Sequence, residues 1–273
     1  MSTSETSIDK VFKEHHESLE KLKEWISNQD HIPKNIPRPI LLRYLKVCNF
    51  DLEEAKKLLD INVKFRIKHQ YLFADRDIDS EEFHKVSNTV QFMALPKKTK
   101  DGCTVEVYRL VDPSLDYFSL KDLFKSVFMI HDLTSLKEPN TNGLIAIFDA
   151  KNFSIWHFMK MVSHAPTVIN FLQYVQEADC IDIRQIHYVN CSSIVSKVQR
   201  FIKPFITREL SEIMHFHSSN YDGLHEYVSK DCLPVDFGGC EGTLDEYMED
   251  TLSNLRKHRD FITNNDNFFL LKQ

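Results

Sequence analysis

A few residues of this sequence could carry catalysis or bind a metal, but none has the partners that such chemistry requires. Asp149 follows the apolar run 144–148, at the end of a predicted strand, where α/β enzymes often place catalytic residues. No Gly-x-Ser-x-Gly segment supplies a nucleophile to accompany it. His215 and His217 share one side of a predicted strand, but no third metal ligand stands at a fixed spacing from them. We therefore interpret Asp149 as a capping or structural residue, and we predict neither a catalytic residue nor a metal site.

The composition argues against several other classes of site. Glycine is scarce, with 6 residues in 273, and no glycine-rich phosphate-binding loop is present. The six cysteines include no Cys-x-x-Cys pair, which argues against a zinc ribbon or a thioredoxin-type site. The formal net charge of -6 argues against nucleic-acid binding. We therefore expect neither a nucleotide cofactor nor a nucleic-acid partner.

The apolar residues indicate a globular chain with a large interior. The 20 phenylalanines predict either a phenylalanine-rich core or a cavity lined by phenylalanine, and both interpretations remain open. The first residues contain no apolar segment of a signal peptide, and the run 144–148 is far too short to span a bilayer. Together with the expectation of reduced cysteines, this predicts a cytoplasmic protein.

Hydrophobic periodicity predicts a three-helix bundle over residues 1–75. The first helix carries an apolar face at Val11, Leu19, Leu22 and Ile26. Prolines interrupt the segment 31–39, and a second helix follows to Val47. Asp51 is a suitable N-cap for a third helix that extends through Ile67. Short links between helices are typical of a bundle.

Strands and helices alternate from residue 88 onward. The predicted strands cover 90–94, 105–109, 144–148, 183–189 and 213–217. The predicted helices cover 120–136, 154–162, 165–178, 192–205 and 221–229. This order predicts an α/β domain over 88–240 with a mixed, largely parallel sheet. The segment 241–273 is predicted to form a helical tail.

The helix predicted over 192–205 is amphipathic. Its apolar stripe comprises Ile194, Val198, Phe201, Ile202 and Phe205. A basic edge runs beside the stripe and comprises Lys197, Arg200 and Lys203, with Arg208 shortly after. This pattern fits either a helix that simply covers the sheet, or a mobile lid that closes a cavity and rests its basic edge on anionic lipid.

Five motifs in order give the chain a family resemblance. They lie at 42–59, Asn142–Asp149, Arg184–Asn190, Ile202–Ile206 and Leu233–Gly239. Together they resemble the CRAL-TRIO family. The resemblance implies a sheet that floors a lipid cavity beneath a lid helix. Family members bind tocopherols, retinoids, squalene or phospholipids without covalent chemistry, and they exchange this cargo at membranes.

The resemblance also implies which residues line the cavity. They are Phe124, Val127, His131, Leu144, Phe148, Phe153, Phe171, Tyr174, Val175, Ile181, Ile186, Val198, Phe201 and Ile202. His131 and Tyr174 are the polar members of this set. They could orient a hydroxyl or carbonyl group of the cargo, or they could be satisfied by other groups of the protein.

The resemblance is weaker for the basic residues with which members of the family read phosphoinositide headgroups. At the matching positions this chain has Cys48, Asp182, Glu209 and Ile213. A carboxylate repels a phosphate, so headgroup-triggered release is not expected to work here as it does in those members. The candidate membrane or phosphoinositide contacts that remain are Lys46, Arg184, Lys197, Arg200, Lys203 and Arg208.

These observations favour an intracellular carrier that holds one hydrophobic lipid and transfers it between membranes. The implied partners are the lipid itself and a peripheral membrane surface, and no cofactor other than the lipid is expected. A membrane-recruited adaptor is the alternative, because the acidic residues of 241–250 could bind a protein partner. A lipid hydrolase is a third hypothesis, and the missing nucleophile segment argues against it.

Overall fold

A computed structural model describes residues 7–218 and 220–263. The N-terminal part contains α1 (Ser7–Glu14), α2 (His16–Ser27), α3 (Arg38–Val47) and α4 (Leu52–Lys68). The predicted cap of α4 is confirmed, because the Asp51 carboxylate accepts hydrogen bonds from the backbone N–H groups of Glu53 and Glu54. The prediction of one continuous first helix is wrong, because α1 and α2 are separated at His15, whose ring stacks on Phe50.

The helix that directly precedes the sheet was absent from the sequence prediction. It is α5 (Glu81–Thr89), which begins after Ser80, whose hydroxyl accepts a hydrogen bond from the Phe83 N–H. Its buried apolar side chains are few, chiefly Phe83 and Val86, so its periodicity is too weak to stand out. The helix ends directly in the first strand.

The five strands form one sheet. They are β1 (Val90–Ala94), β2 (Thr104–Leu110), β3 (Leu144–Asp149), β4 (Ile183–Val189) and β5 (Met214–Phe216). The strand order follows the chain from β1 to β5. Only β1 and β2 are antiparallel, so the prediction of a mixed, largely parallel sheet is confirmed. The apolar β3 lies at the centre, where a strand is covered on both faces.

Seven further helices pack around the sheet or extend from it. They are α6 (Leu120–Lys137), α7 (Ile155–Ser163), α8 (Ala165–Glu177), α9 (Ser193–Ile202), α10 (Arg208–Glu212), α11 (Asp222–His225) and α12 (Leu244–Lys257). The predicted helix 192–205 is too long, because residues 203–205 form a 3₁₀ turn around Pro204, which has no N–H to continue the helix. The predicted helix 221–229 is reduced to α11.

The predicted C-terminal tail is helical where it can be described. Within it, α12 packs against β1, and residues 259–263 form one further helical turn. The rest of the predicted tail, 264–273, lies outside the described residues. Across 7–218 and 220–263, no helix has the length and apolar character that crossing a membrane requires.

A buried polar network joins the helical bundle to the sheet domain. Arg66 of α4 forms paired hydrogen bonds to the Asp132 carboxylate of α6, at 2.7 and 3.0 Å. Arg76 donates to the same carboxylate at 2.6 Å. Arg66 and Asn62 also donate to the hydroxyl of Tyr174 on α8, at 2.6 and 2.9 Å. The network therefore fixes α4 against both α6 and α8.

Candidate functional site

A row of aromatic side chains crosses the sheet at one level. It is paired in register from strand to strand and comprises Phe92, Tyr108, Phe148, Tyr188 and Phe216. The rings of Tyr108 and Phe148 stack with centroids 4.9 Å apart, and those of Phe148 and Tyr188 with centroids 5.1 Å apart. Because side chains alternate between the faces of a sheet, these rings cover the same face. The three central rings, Tyr108, Phe148 and Tyr188, form the floor of a cavity.

The outer part of this cavity has a volume of about 210 Å³ and lies between the aromatic row and helices α6 to α9. Most of its wall is apolar. The predicted residues that line it are Phe124, Val127, Phe148, Phe153, Phe171, Val198 and Ile202. Arg109 and Asp149 adjoin it where their strands end, and both have polar partners, Asp236 and Asn190. Asp149 also accepts a hydrogen bond from the Lys151 N–H, as a capping residue does.

The inner part is a smaller space of about 60 Å³ on the same floor. The predicted residues that line it are Val127, His131, Leu144, Phe148, Phe171, Val175, Ile186 and Ile202. Several rings border both parts, among them Tyr108, Phe148 and Tyr188. The two spaces are thus compartments of one cavity beneath α9, and its lining matches most of the predicted set. The role of these residues in ligand binding remains a prediction.

Of the two polar residues in the predicted lining, His131 reaches the cavity. Its Nδ1 lies 2.7 Å from Asp179 Oδ2, and its Nε2 lies 3.3 Å from Glu106 Oε2. Burial disfavours the charged imidazolium, but the two carboxylates outweigh burial and raise the pKa of His131 to about 10. The ring is therefore a cation near neutral pH, and both of its N–H groups are directed at protein carboxylates.

Three predicted lining residues do not border either compartment. Tyr174 is fully buried, and its hydroxyl belongs to the network of Asn62 and Arg66, so it points to the helical bundle. Phe201 packs instead against the rings of Phe158 and Phe205. Ile181 is buried just before β4. For Tyr174 and Phe201 the register of a helix decides the outcome, since a shift of one residue turns a side chain by about 100°.

The predicted basic contacts divide into two groups. Lys197, Arg200 and Lys203 are exposed along α9 and the turn after it, and within the described part of the chain none pairs with a carboxylate. Lys46 is different, because it donates to the Asn140 side chain at 2.7 Å and so holds α3 against the loop before β3. Burial lowers its pKa. The role of Lys46 as a membrane contact stays a prediction, and a membrane would have to compete with Asn140 for its ammonium group.

Arg184 and Arg208 are exposed but engaged. Arg184 pairs with Asp182 at 2.6 Å, and Arg208 pairs with Glu212 at 2.6 Å. Ion pairs on the surface are weak, so Arg184 and Arg208 remain candidate lipid contacts. The carboxylates beside them reduce the local positive charge.

Three histidines gather on the face of the sheet opposite the cavity. His187 Nδ1 lies 3.0 Å from His217 Nε2, and the ring of His187 stacks on His215. His187 is fully buried. Burial, together with His215 and His217, lowers its pKa to about 3. Throughout the described residues, no group of three His, Cys, Asp or Glu side chains is arranged to hold a metal ion.

Two larger clefts lie elsewhere on the surface, with volumes of about 280 and 520 Å³. Charged side chains border both, including Lys137 and Asp250 in the first and Lys121 and Lys160 in the second. Ligand pockets for hydrophobic molecules are mostly apolar and enclosed. The cavity above the aromatic row is therefore the candidate site, although it is the smaller space.

Comparison with known proteins assigns the middle of the chain to the family that its motifs resemble. The family described as CRAL/TRIO domain matches residues 88–239, and the family described as Pinta-like, UBA domain matches residues 11–83. The crystal structure of Sfh5 shares the fold, with a TM-score of 0.57 at 15% identity over 90% of this chain and 92% of that one.

Similar sequences carry related names. An alpha-tocopherol transfer protein-like protein of Homo sapiens is 25% identical over 256 residues, which are 89% of this chain and 73% of that protein. Its counterpart in Mus musculus is 25% identical over 219 residues, and clavesin-1 of Rattus norvegicus is 22% identical over 228. These matches cover 79% and 83% of this chain, but only 62% and 63% of those two proteins. CRAL/TRIO proteins as a family bind and transfer lipids. The CRAL/TRIO match covers more than half of the length of this chain, so the chain belongs to the CRAL/TRIO domain family.

Proposed function

We propose that this protein is a non-catalytic intracellular carrier that encloses one hydrophobic lipid and exchanges it with membranes. The observation that supports this most directly is the apolar cavity between the aromatic row and α9. The proposed division of the chain into 1–75, 88–240 and 241–273 places the whole lining in the middle segment. No cofactor other than the lipid enters this proposal.

Burial of apolar surface would supply the affinity. A cargo that hides ~400 Å² of apolar surface gains roughly 10 kcal/mol before the entropic cost of binding, at ~25 cal/mol per Å². The two compartments are small, so a lipid of that size requires α9 or its neighbours to move outward. A single layer of helix over the opening makes such movement simpler than movement of the sheet.

The exposed face around α9 supports exchange at a membrane. On α7, Trp156 is 66% exposed, and Met159 and Val162 are exposed beside it. Contact between the rings of Phe158 and Phe201 joins α7 to α9. Apolar side chains next to a row of unpaired cations are the combination that binds an anionic lipid surface. We therefore propose that α7 and α9 together contact the membrane.

Native mass spectrometry of the purified protein, followed by organic extraction, tests the carrier function. We expect one lipid per chain. The variant Val198→Trp should lower this occupancy, because it fills the outer compartment from α9. Ser196→Trp is the matched control on the exposed side of the same helix and should retain the lipid.

The decisive negative result is a protein that is empty as purified and that also takes up no lipid from mixed liposomes. That outcome would reject the carrier function and favour the adaptor hypothesis. Equal occupancy in Val198→Trp and Ser196→Trp would instead show that the lipid is bound elsewhere.

A further inference from the structure

The segment 192–212 contains α9, the turn after it and α10, and its apolar side chains form one wall of the candidate cavity. Both of its ends adjoin the sheet. The Cys191 N–H donates to the His217 carbonyl at 3.0 Å, and the Ile186 N–H donates to the Ile213 carbonyl at 2.9 Å. The segment is therefore a length of chain that is anchored at both ends and could lift between its anchors.

One side chain holds this segment to the rest of the protein by hydrogen bonds. Among the residues that the structure describes, only Gln176 of α8 forms such bonds with it from outside. Gln176 Nε2 donates to the Phe205 carbonyl at 3.1 Å, and Oε1 accepts from the Thr207 N–H at 2.7 Å. Nε2 also donates to the Leu172 carbonyl of its own helix at 2.8 Å, which fixes the amide group. The two bonds to the segment enclose Ile206.

Helix α8 is a firm support for this contact. On a different side of the helix, the Tyr174 hydroxyl accepts hydrogen bonds from Arg66 and Asn62 of the helical bundle. Asn170 also donates to the hydroxyl of Tyr71 at 3.0 Å. Because the bundle holds α8 in this way, a loss of contact at Gln176 displaces the segment and not the helix.

The contact lies at the wall of the inner compartment. Ile206, between the two bonded backbone groups, borders this compartment, and so does Ile202 one turn earlier. Leu172 and Val175 border it from α8. Separation of the segment from α8 at Gln176 would therefore open the inner compartment between these two walls.

The bonds of Gln176 are of a kind that can break and re-form. Both lie where water can reach them, so water can replace each partner when the segment moves outward. The buried bonds between Arg66 and Asp132 differ, because their loss would leave buried charges without partners. Opening at Gln176 thus costs far less free energy than opening at the junction with the bundle.

We propose that Gln176 is the latch of the cavity. Its amide group positions the segment 192–212 against α8, and the rupture of its bonds to Phe205 and Thr207 is the step that admits and releases the ligand. This inference rests on the carrier function proposed above. It gives a positioning role to a residue that sequence reasoning did not single out.

The first test is hydrogen–deuterium exchange of the full-length protein, read by mass spectrometry, which requires no ligand. In Gln176→Leu the side chain is of similar size but forms no hydrogen bond. We expect the backbone amides of 193–212 to exchange roughly 3- to 10-fold faster in this variant, as the loss of one or two accessible hydrogen bonds allows. Gln173→Leu is the matched control, since Gln173 is exposed on the same helix and bonds to Glu177, and it should exchange like the wild type.

The second test measures release. The neutral dye Nile red is loaded into the full-length protein, and its transfer to phosphatidylcholine vesicles is followed by stopped-flow fluorescence. The dissociation rate should rise in Gln176→Leu by about the same factor as amide exchange and should stay at the wild-type value in Gln173→Leu. The free energy of unfolding in urea should be nearly equal in the two variants, because water satisfies the freed groups.

Gln176→Glu separates hydrogen bonding from packing. The ionised carboxylate still accepts from the Thr207 N–H, but it has no donor for the Phe205 carbonyl and repels that oxygen. The protonated form restores a donor. Relative to the wild type at the same pH, release from this variant should therefore be fast at pH 7.5 and should slow as the pH falls to 5.

Unchanged amide exchange or unchanged dye release in Gln176→Leu would overturn the latch, and so would equal acceleration in Gln173→Leu. Release from Gln176→Glu that does not slow at low pH would assign the effect to packing and not to the hydrogen bonds. Faster amide exchange in a protein that binds neither dye nor extracted lipid would show that Gln176 holds the segment, but it would reject the carrier function.

Discussion

Asp132 carries much of the junction between the helical bundle and the sheet domain. It lies between two buried guanidinium groups, those of Arg66 and Arg76. Burial opposes its ionisation, but the two arginines outweigh burial and lower the pKa of Asp132 to about 2. A buried charged group of this kind is most costly when one of its partners is lost.

We predict that Asp132→Asn destabilises the protein by about 3–5 kcal/mol, because it leaves buried arginines without a counter-charge. The measurement is the free energy of unfolding in urea at pH 7. Glu53→Gln, which breaks the exposed pair with Lys56, is the control and should have little effect. Equal effects of the two substitutions would contradict the role of Asp132.

The pH dependence follows from the lowered pKa. Ionised Asp132 contributes fully to the free energy of unfolding above pH ~3.9, which is the pKa of the group in the unfolded chain. This contribution is lost as the pH falls toward about 2, the pKa of Asp132 in the folded protein. The wild type should therefore lose stability in that window, and Asp132→Asn should lack this part of the loss.

At the scale of elements, β4 and β5 are held together on one face by histidines. His187 of β4 is paired in register with His215 and hydrogen-bonded to His217. The side chains of Gln185 and Tyr227 also contact His187. Burial and His215 lower the pKa of His217, and the nearby Glu226 opposes this shift. Burial and the neighbouring histidines make the neutral form of His187 the one that fits.

We predict that this cluster makes the protein acid-sensitive. The folded pKa of His187, about 3, is depressed below the unfolded value of ~6.5, so stability is complete above pH 6.5 and falls between pH 6.5 and 3. His187→Gln should reduce the change of the free energy of unfolding with pH, measured in urea at pH 7, 6 and 5. The exposed His16→Gln should leave it unchanged. An identical slope in both variants would exclude the cluster as its source.

At the scale of the molecule, two neighbouring helices present a face that combines exposed apolar side chains with basic side chains that pair with no carboxylate among the described residues. It is the face of α7 and α9 that carries Trp156, Lys197 and Arg200. The net charge of the whole chain is -6, so attraction to an anionic membrane depends on this local arrangement and not on the total.

We predict that reversing the three cations Lys197, Arg200 and Lys203 to glutamate weakens binding to phosphatidylserine vesicles by roughly 100-fold or more, at about 1 kcal/mol for each charge lost. Co-flotation with vesicles measures this. The matched triple variant Lys21→Glu, Lys57→Glu and Lys64→Glu changes the total charge equally on α2 and α4. Equal loss of binding in both variants would show that total charge governs the attraction.

Most of the architecture was predictable, because apolar periodicity and five ordered motifs are local signals. The strands follow from apolar runs such as 144–148, but their order within the sheet was not predicted. The site was less predictable, because whether Tyr174 faces the cavity or the bundle depends on Asn62 and Arg66, more than 100 residues earlier. Tyr188 lies inside a recognised motif, yet only the pairing of the strands places its ring beside Phe148 in the aromatic row.

The register of the aromatic row also bears on how carriers of this fold diversify. The rings of Tyr108, Phe148 and Tyr188, each from a different strand, border both the inner and the outer compartment. Exchange of one ring for a smaller side chain would join the compartments while every strand keeps its pairing. Under the proposed carrier function, the length of the cargo would then change through a single codon while the topology of the sheet stays the same.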